Sequence, residues 1–267
     1  MSWTPPEGTL GRIVAETGRR VDELRQRRGD LERIARDKPN ARSLAEALRG
    51  VDVAILAEVK RRSPSKGGIA EGLKAEAQAI AYERGGARAV SVLTEPAHFG
   101  GSIQDLLDVS AAVAIPVLKK DFHVDPIQLI EAKAVGASAA LLIARAVSPE
   151  ALLDLMRFGL GLGLELLVEV RDERELELAV SGAATMIGVN NRDLESLLID
   201  PTTAERLVPM VPEAIVAVAE SGVGTRDDVS RYAAAGADAV LVGSVLSAAG
   251  DPATATAALA GVPRRHR

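Results

Sequence analysis

The chain has no cysteine, which removes disulfides and thiolate chemistry and fits a reducing cytoplasm. Aromatic residues make up 2% of it against 47% hydrophobic residues. A core must then be built from Ala, Val, Leu and Ile, as in parallel strands covered by helices. No apolar run reaches the roughly 18 residues of a membrane span, and Met1-Ser2-Trp3-Thr4-Pro5-Pro6 lacks the apolar stretch of a secretory leader. The expected location is cytoplasmic, with no membrane partner. Positive charge is in deficit: the net charge of −5 argues against a nucleic-acid partner, and an anionic small ligand would need a local cationic pocket. Histidines number only 3, and no His or carboxylate spacing suggests a metal site.

Cations are nevertheless concentrated in one stretch. An apolar run beginning at Val51 or Val53 reads as a buried strand, and it ends in Glu58 and Lys60, which the two-residue period places on one face. Arg61-Arg62-Ser63-Pro64-Ser65-Lys66-Gly67-Gly68 follows, a polar loop with no helical rhythm. Before this strand, Leu10, Ile13, Val14, Val21, Leu24, Leu31 and Ile34 recur at helical spacing, predicting one or two amphipathic helices bent near Gly29. Ser43 to Arg49 predicts a further short helix closed by Gly50. These segments form an extension over residues 1–50, packed on a main body over 51–267.

That main body repeats. Gly86-Ala87, Gly136-Ala137, Gly182-Ala183 and Gly236-Ala237 each stop a helix and start a strand, at glycine separations of 50, 46 and 54 residues. Between them fall Pro116 to Lys120, Glu165 to Glu169 and Ile215 to Glu220. With the opening strand this makes eight βα units, and a length of 267 residues suits one closed (β/α)₈ barrel better than a doubly wound sheet. In such a barrel the C-terminal strand ends share one mouth. The odd strands end in Glu58 with Lys60, in Lys120, in Glu169 and in Glu220, whereas the N-terminal ends offer Val53, Pro116 and Ile215.

Two small-residue turns close the set. The seventh strand ends Glu220-Ser221-Gly222-Val223-Gly224 and the eighth ends Val242-Gly243-Ser244, where backbone N–H groups can approach a phosphate, with Lys60 and Ser63 opposite. Phe99 and Phe122, beyond the second and third strands, suit an apolar floor for a flat substrate. Asn190 and Arg192 follow the sixth strand, and the guanidinium fork of Arg192 suits a carboxylate. His98 and His123 flank the same mouth as loop residues.

Together, Ala57-Glu58-Val59-Lys60-Arg61-Arg62-Ser63-Pro64-Ser65-Lys66-Gly67, Ser91-Val92-Leu93-Thr94-Glu95 with Phe99, Leu118-Lys119-Lys120-Asp121-Phe122, Leu167-Val168-Glu169-Val170, Gly188-Val189-Asn190-Asn191-Arg192-Asp193-Leu194, Ala219-Glu220-Ser221-Gly222 and Val242-Gly243-Ser244 resemble the indole-3-glycerol phosphate synthase family. The extension is similar as well, and a fused second enzyme seen in some members is not expected here. The resemblance implies conversion of 1-(2-carboxyphenylamino)-1-deoxyribulose 5-phosphate to indole-3-glycerol phosphate, with loss of carbon dioxide and water, without cofactor or metal. It implies Lys120 as the acid for ring closure, Lys60 and Glu169, in either order, as the acid and base of dehydration, Asn190 and Glu220 as groups orienting substrate and stabilising charge, and Glu58 as a further catalytic residue. It places Ser63, Phe99, Phe122, Arg192, Ser221, Gly222, Gly243 and Ser244 around the substrate. Lys60 is expected to lower the pKa of Lys120, with Glu58 opposing, and Lys119 to point away from the mouth at little cost to lose. A monomer is favoured. An isomerase of phosphoribosylanthranilate would leave two lysines and two glutamates unexplained, and a non-catalytic phosphosugar-binding protein would need the phosphate turns but not Lys60, Lys120 and Glu169 together.

Overall fold

The computed structural model describes residues 4–267, so Met1, Ser2 and Trp3 of the extension lie outside the described residues. Eight strands run parallel: β1 (Ala54–Val59), β2 (Ala89–Leu93), β3 (Val117–Lys120), β4 (Ala139–Ile143), β5 (Glu165–Val170), β6 (Met186–Asn190), β7 (Val216–Glu220) and β8 (Ala239–Val242). Each pairs with its neighbours in chain order, and β8 pairs back on β1 through Ala54–Ala239 and Ala57–Val242, closing the barrel. The strands are almost wholly buried, which is why they read as apolar runs without alternation. The first strand starts at Ala54, later than expected. Val51 is exposed, because Val53 is already tied to the C-terminal segment through Val53 N to Val262 O.

The helices are α1 (Gly8–Gln26), α2 (Arg28–Asp37), α3 (Leu44–Leu48), α4 (Ala75–Arg84), α5 (Pro96–Phe99), α6 (Ile103–Ala112) and α7 (Pro126–Ala134). After them come α8 (Pro149–Gly161), α9 (Glu173–Ser181), α10 (Thr202–Leu207), α11 (Arg226–Ala234), α12 (Ser244–Ser247) and α13 (Pro252–Leu259). Ser102, Asp125, Ser148, Asp172, Thr225 and Asp251 cap helix starts on the mouth side by accepting backbone N–H groups, satisfying donors that a helix start leaves bare.

The helix stops show where the repeat was misaligned. Gly86, Gly136 and Gly236 take the left-handed conformation that ends their helices, with φ of 90°, 87° and 95°. In the remaining copy this position is Ala183, at φ 58°, one residue after Gly182. Gly182 has another reason to be small: a Cβ there would lie 2.7 Å from the Met156 side chain.

The extension spans the barrel from top to bottom. The chain breaks at Arg27 rather than Gly29, which sits inside the first turn of α2. One end of α1 meets the loop after β6, where Leu10 N donates to Leu194 O, and Gly8 approaches the Glu195 backbone so closely that a Cβ would sit 2.6 Å from its carbonyl oxygen. Val21, Leu31 and Ala35 form a separate apolar cluster with Ile127, Ile130 and Ala134 of α7. The short α3 seals the floor: Leu44 and Leu48 are buried in the barrel core, and Glu165 accepts from Ser43 Oγ, Leu44 N and Ala45 N at 2.6, 2.6 and 3.0 Å. Arg49, not Gly50, caps its end; Gly50 faces the Arg88 guanidinium instead. The N-terminal strand ends are therefore not uncharged as expected. Glu165 holds α3, and Asp238 pairs with Arg264 and with Arg267, the latter at 2.9 Å. Both carboxylates anchor segments from outside the repeat.

Candidate active site

The strand ends open on a cavity of about 480 Å³ whose wall includes Glu58, Lys60, Lys120, Glu169, Asn190 and Glu220. Ser63, Phe99, Phe122, Arg192, Ser221, Gly222, Gly243 and Ser244 line the same cavity, so every site residue named from the sequence is brought to one place. Pairing register explains the convergence: Glu58 is level with Ser91, Glu169 with Gly188, and Asn190 with Glu220 on adjoining strands.

Two ammonium–carboxylate groups face one another there. Lys120 Nζ lies 3.2 Å from Glu169 Oε2 and 3.3 Å from Glu220 Oε2, and Asn190 Nδ2 donates to Glu169 Oε1 at 2.8 Å. Lys60 Nζ sits 2.8 Å from Glu58 Oε1. Burial by itself lowers the Lys120 pKa, but Glu220, Glu169 and Glu58 outweigh it and raise the pKa above the ordinary lysine value. The expected lowering by Lys60 is thus overturned: carboxylates, not the second lysine, dominate the field at Lys120. Glu220 is pushed upward, first by burial and then by Glu169 and Glu58 against the opposition of Lys120. Glu58 Oε2 and Glu220 Oε1 are buried with no hydrogen-bond partner among the described residues, and Glu58 Oε1 has only the Lys60 ammonium beside it.

Close approach decides two glycines. A Cβ on Gly188 would meet Glu220 Oε1, and one on Gly243 would meet Glu58 Oε1. Opposite, Ser221 and Gly222 take successive left-handed conformations, φ 65° and 83°, in the turn that the sequence assigned to an anion. Ser63 lies in a two-residue antiparallel ribbon, Arg62–Ser63 with Gly67–Gly68, where an irregular loop was expected. Arg61 anchors that ribbon through paired bonds of 2.6 and 2.7 Å to Asp105. Phe99 belongs to α5 rather than to a loop, its ring centroid 6.1 Å from that of Phe122 and 5.9 Å from Lys60 Nζ. Arg192 commits one amino group to Leu197 O, and its backbone N–H donates to Asn190 Oδ1 at 2.9 Å.

The histidines move away from the mouth. His98, in α5, lies 2.9 Å from Glu16 of α1, and His123 is buried against Leu141 O. Burial, followed by Lys119, pushes the His123 pKa down to about 3. Lys119 points away from the cavity as expected. It is not dispensable, however: it is wholly buried and lies 2.6 Å from Glu131.

Several supporting residues escaped the sequence reading. Leu10 and Ile13 of the extension line the cavity. Tyr82 Oη and Ser247 Oγ both donate to Glu58 O, and Ser247 Oγ accepts from Lys60 N at 3.1 Å. Burial raises the Tyr82 pKa to about 12, so its hydroxyl stays a donor. Asn191 Nδ2 donates to Tyr232 Oη and to Ser221 O. A signal for both tyrosines was present: they are the only 2 in the chain, and each stands four residues before a repeat glycine, Gly86 or Gly236.

A closed (β/α)₈ barrel with paired lysines and glutamates at the C-terminal mouth, the face where enzymes of this fold carry their sites, defines the class: a barrel enzyme. Comparison with known proteins narrows that class. The family model for indole-3-glycerol phosphate synthase matches residues 10–259. A protein named indole-3-glycerol phosphate synthase from Streptomyces griseus subsp. griseus is 49% identical over 248 residues, covering 92% of this chain and 90% of that one. Indole-3-glycerol phosphate synthase 2 of Streptomyces coelicolor is 46% identical, covering 95% and 99%. The chain belongs to the indole-3-glycerol phosphate synthase family. Among solved structures, thiamine phosphate pyrophosphorylase from Pyrococcus furiosus is similar in fold, with a TM-score of 0.58 at 18% identity over 81% of this chain and 96% of that one.

Proposed function

We propose that this chain acts as an indole-3-glycerol phosphate synthase, converting 1-(2-carboxyphenylamino)-1-deoxyribulose 5-phosphate to indole-3-glycerol phosphate, carbon dioxide and water in tryptophan biosynthesis. The observation that carries the reading is one ammonium, Lys120, held between Glu169 and Glu220, with Lys60 and Glu58 close by in the same cavity. Ring closure needs a proton on the ribulose carbonyl oxygen as the aromatic carbon bearing the carboxylate attacks the carbonyl carbon and the C=O π electrons pass to that oxygen. Lys120 supplies that proton, and its carboxylate neighbours keep it charged until the substrate arrives. Loss of carbon dioxide returns the bonding electrons to the ring. The new alcohol then leaves as water when Lys60 protonates it, while Glu169 accepts the proton whose loss makes the indole aromatic. Glu58, Asn190 and Glu220 orient the sugar hydroxyls and balance the charge that develops.

The turns bearing Ser221, Gly222, Gly243 and Ser244, with Ser63 across from them, hold the phosphate. Phe99 and Phe122 pack against the anthranilate ring, and Arg192 holds its carboxylate before departure. The same reading treats residues 1–50 as an extension packed on a barrel of residues 51–267, and the protein as a cytoplasmic monomer with neither nucleic-acid nor membrane partners. No helix among the described residues is long and apolar enough to cross a membrane. The test is the appearance of indole fluorescence when purified protein meets the substrate. Rapid binding of substrate without fluorescence gain would leave a phosphosugar-binding protein and overturn the enzyme.

A further inference from the structure

The last residue of β3 carries the acid, yet at that residue the strand is paired on one side only. Pairing with β4 stops at Lys119–Ala140, whereas pairing with β2 continues to Leu93–Lys120. Beyond that point Lys120 is followed by Asp121 and Phe122, and the segment is gathered by a single buried carboxylate. Asp121 Oδ1 accepts from Phe122 N at 2.8 Å, and Asp121 Oδ2 accepts from Thr94 Oγ1 at 2.6 Å and from Arg20 Nη2 at 2.7 Å. Thr94 N also donates to Lys120 O at 3.1 Å, so the residue just after β2 brackets both sides of the Lys120–Asp121 peptide. Asp121 is 2% exposed and lines the cavity.

Arg20 is the component from outside the barrel repeat. It projects from α1, and among the described residues Asp121 is its only hydrogen-bond acceptor, its Nη1 being buried without a partner there. We propose that Arg20 is a positioning residue of the reaction, pairing with Asp121 so that the backbone from Lys120 to Phe122 holds the acid and the aromatic wall in register with the substrate. The inference rests on the reading of Lys120 as the acid of ring closure. It gives the extension a chemical task, distinct from covering apolar surface.

Charge supports the geometry. Burial would push the Asp121 carboxyl up, but Lys119 from β3 and Arg20 from α1 hold it well below the usual carboxylate range, with His123 also facing it. Lys119 is already engaged by Glu131 of α7, while Glu95 and Glu131 add to the acidic surroundings of Arg20. Removing Arg20 leaves Asp121 with a hydroxyl, a backbone N–H and a shared lysine, and its pKa rises toward the working range.

The same helix provides the control. Arg25 docks α1 on Asp125 at 2.7 Å, five residues further along and remote from the cavity wall. In the full chain, Arg20→Met should lower kcat on the order of 10- to 100-fold, as expected for misplacement of a reacting group, with KM changed far less. The acid limb of its kcat–pH profile should move to higher pH, and Arg20→Lys should recover part of both effects. Arg25→Gln should leave kcat and the profile unchanged. Thr94→Val, which removes only the other side-chain donor to Asp121, should reproduce the profile shift in milder form and serves should Arg20→Met fail to fold. Wild-type kcat and pH profile in Arg20→Met, or in Thr94→Val if that variant must stand in, would overturn the inference. Equal losses in Arg20→Met and Arg25→Gln would overturn it too, reducing the pair to helix docking. A wild-type chain that formed no indole product would instead overturn the proposed reaction, and this inference with it.

Discussion

At the scale of single residues, two adjacent lysines do different work because a strand alternates its faces. Lys120 enters a cavity among carboxylates, and Lys119 enters the layer between strand and helix, where Glu131 is its partner. Lys120→Met should cut turnover by roughly 10²- to 10⁴-fold, while product binding falls much less. Lys119→Met should weigh chiefly on stability, which falls by about 3–5 kcal/mol because Glu131 is left with an uncompensated charge, while turnover of the folded protein falls far less than in Lys120→Met, Lys119 acting on the site only through Asp121. Denaturation curves and initial rates on both proteins check the pair, and an active Lys120→Met beside a dead Lys119→Met would reverse the assignment. Gly188 makes a second residue-scale case. Its missing side chain is space for Glu220, so Gly188→Ala should displace that carboxylate and lower kcat on the order of 10²-fold, with only a small change in melting temperature. Unchanged kcat would show that the Glu220 position is not critical.

At the scale of elements, the four-part echo in the sequence reflects one physical requirement, a helix stop in which a left-handed residue turns the chain into the next strand. Gly86, Gly136 and Gly236 meet it without strain, and Ala183 meets it with a Cβ in the way. The visible glycine at 182 belongs to packing against Met156, which is why reading glycines alone misaligned that copy by one residue. Ala183→Gly should therefore raise stability by about 0.5–1 kcal/mol, the relief of left-handed strain offset in part by glycine's larger unfolded-state entropy. Thermal melting measures it, and a lower midpoint would show that Ala183 makes packing contacts worth more than the strain. The extension shows the limit of periodicity: spacing announced amphipathic helices over 9–36, but not that Leu10 and Ile13 would face the mouth while Leu44 and Leu48 sealed the floor.

At the scale of the whole molecule, buried titratable groups couple folding to pH. His123 is held neutral, its pKa pushed down to about 3 by burial and by Lys119. A depressed folded-state pKa stabilises above the unfolded value near 6.5 and is lost as pH falls toward 3. Stability should therefore decline progressively below about pH 6.5, by up to on the order of 4 kcal/mol from this group. Glu220 acts with the opposite sign, since a raised carboxyl pKa costs stability as pH rises through it. Chemical denaturation from pH 4 to 8 should show the acid decline, with a shallower slope in His123→Gln. An equal slope in that variant would assign the acid sensitivity elsewhere.

What the sequence determined by itself was everything carried by local order: eight strands from apolar runs, closure from their number and repeat, and the mouth residues from their places at strand ends. Those features are legible because a strand's period and a helix's cap depend on near neighbours. Tertiary structure alone decided which charges meet. That Lys120 is ruled by Glu169 and Glu220 rather than by Lys60, that Lys119 has a buried partner in α7, and that Arg20 reaches Asp121 across 101 positions all depend on barrel register and helix docking. Electrostatic interaction falls with distance in space and with exposure to water, and neither quantity is written in the order of residues along the chain.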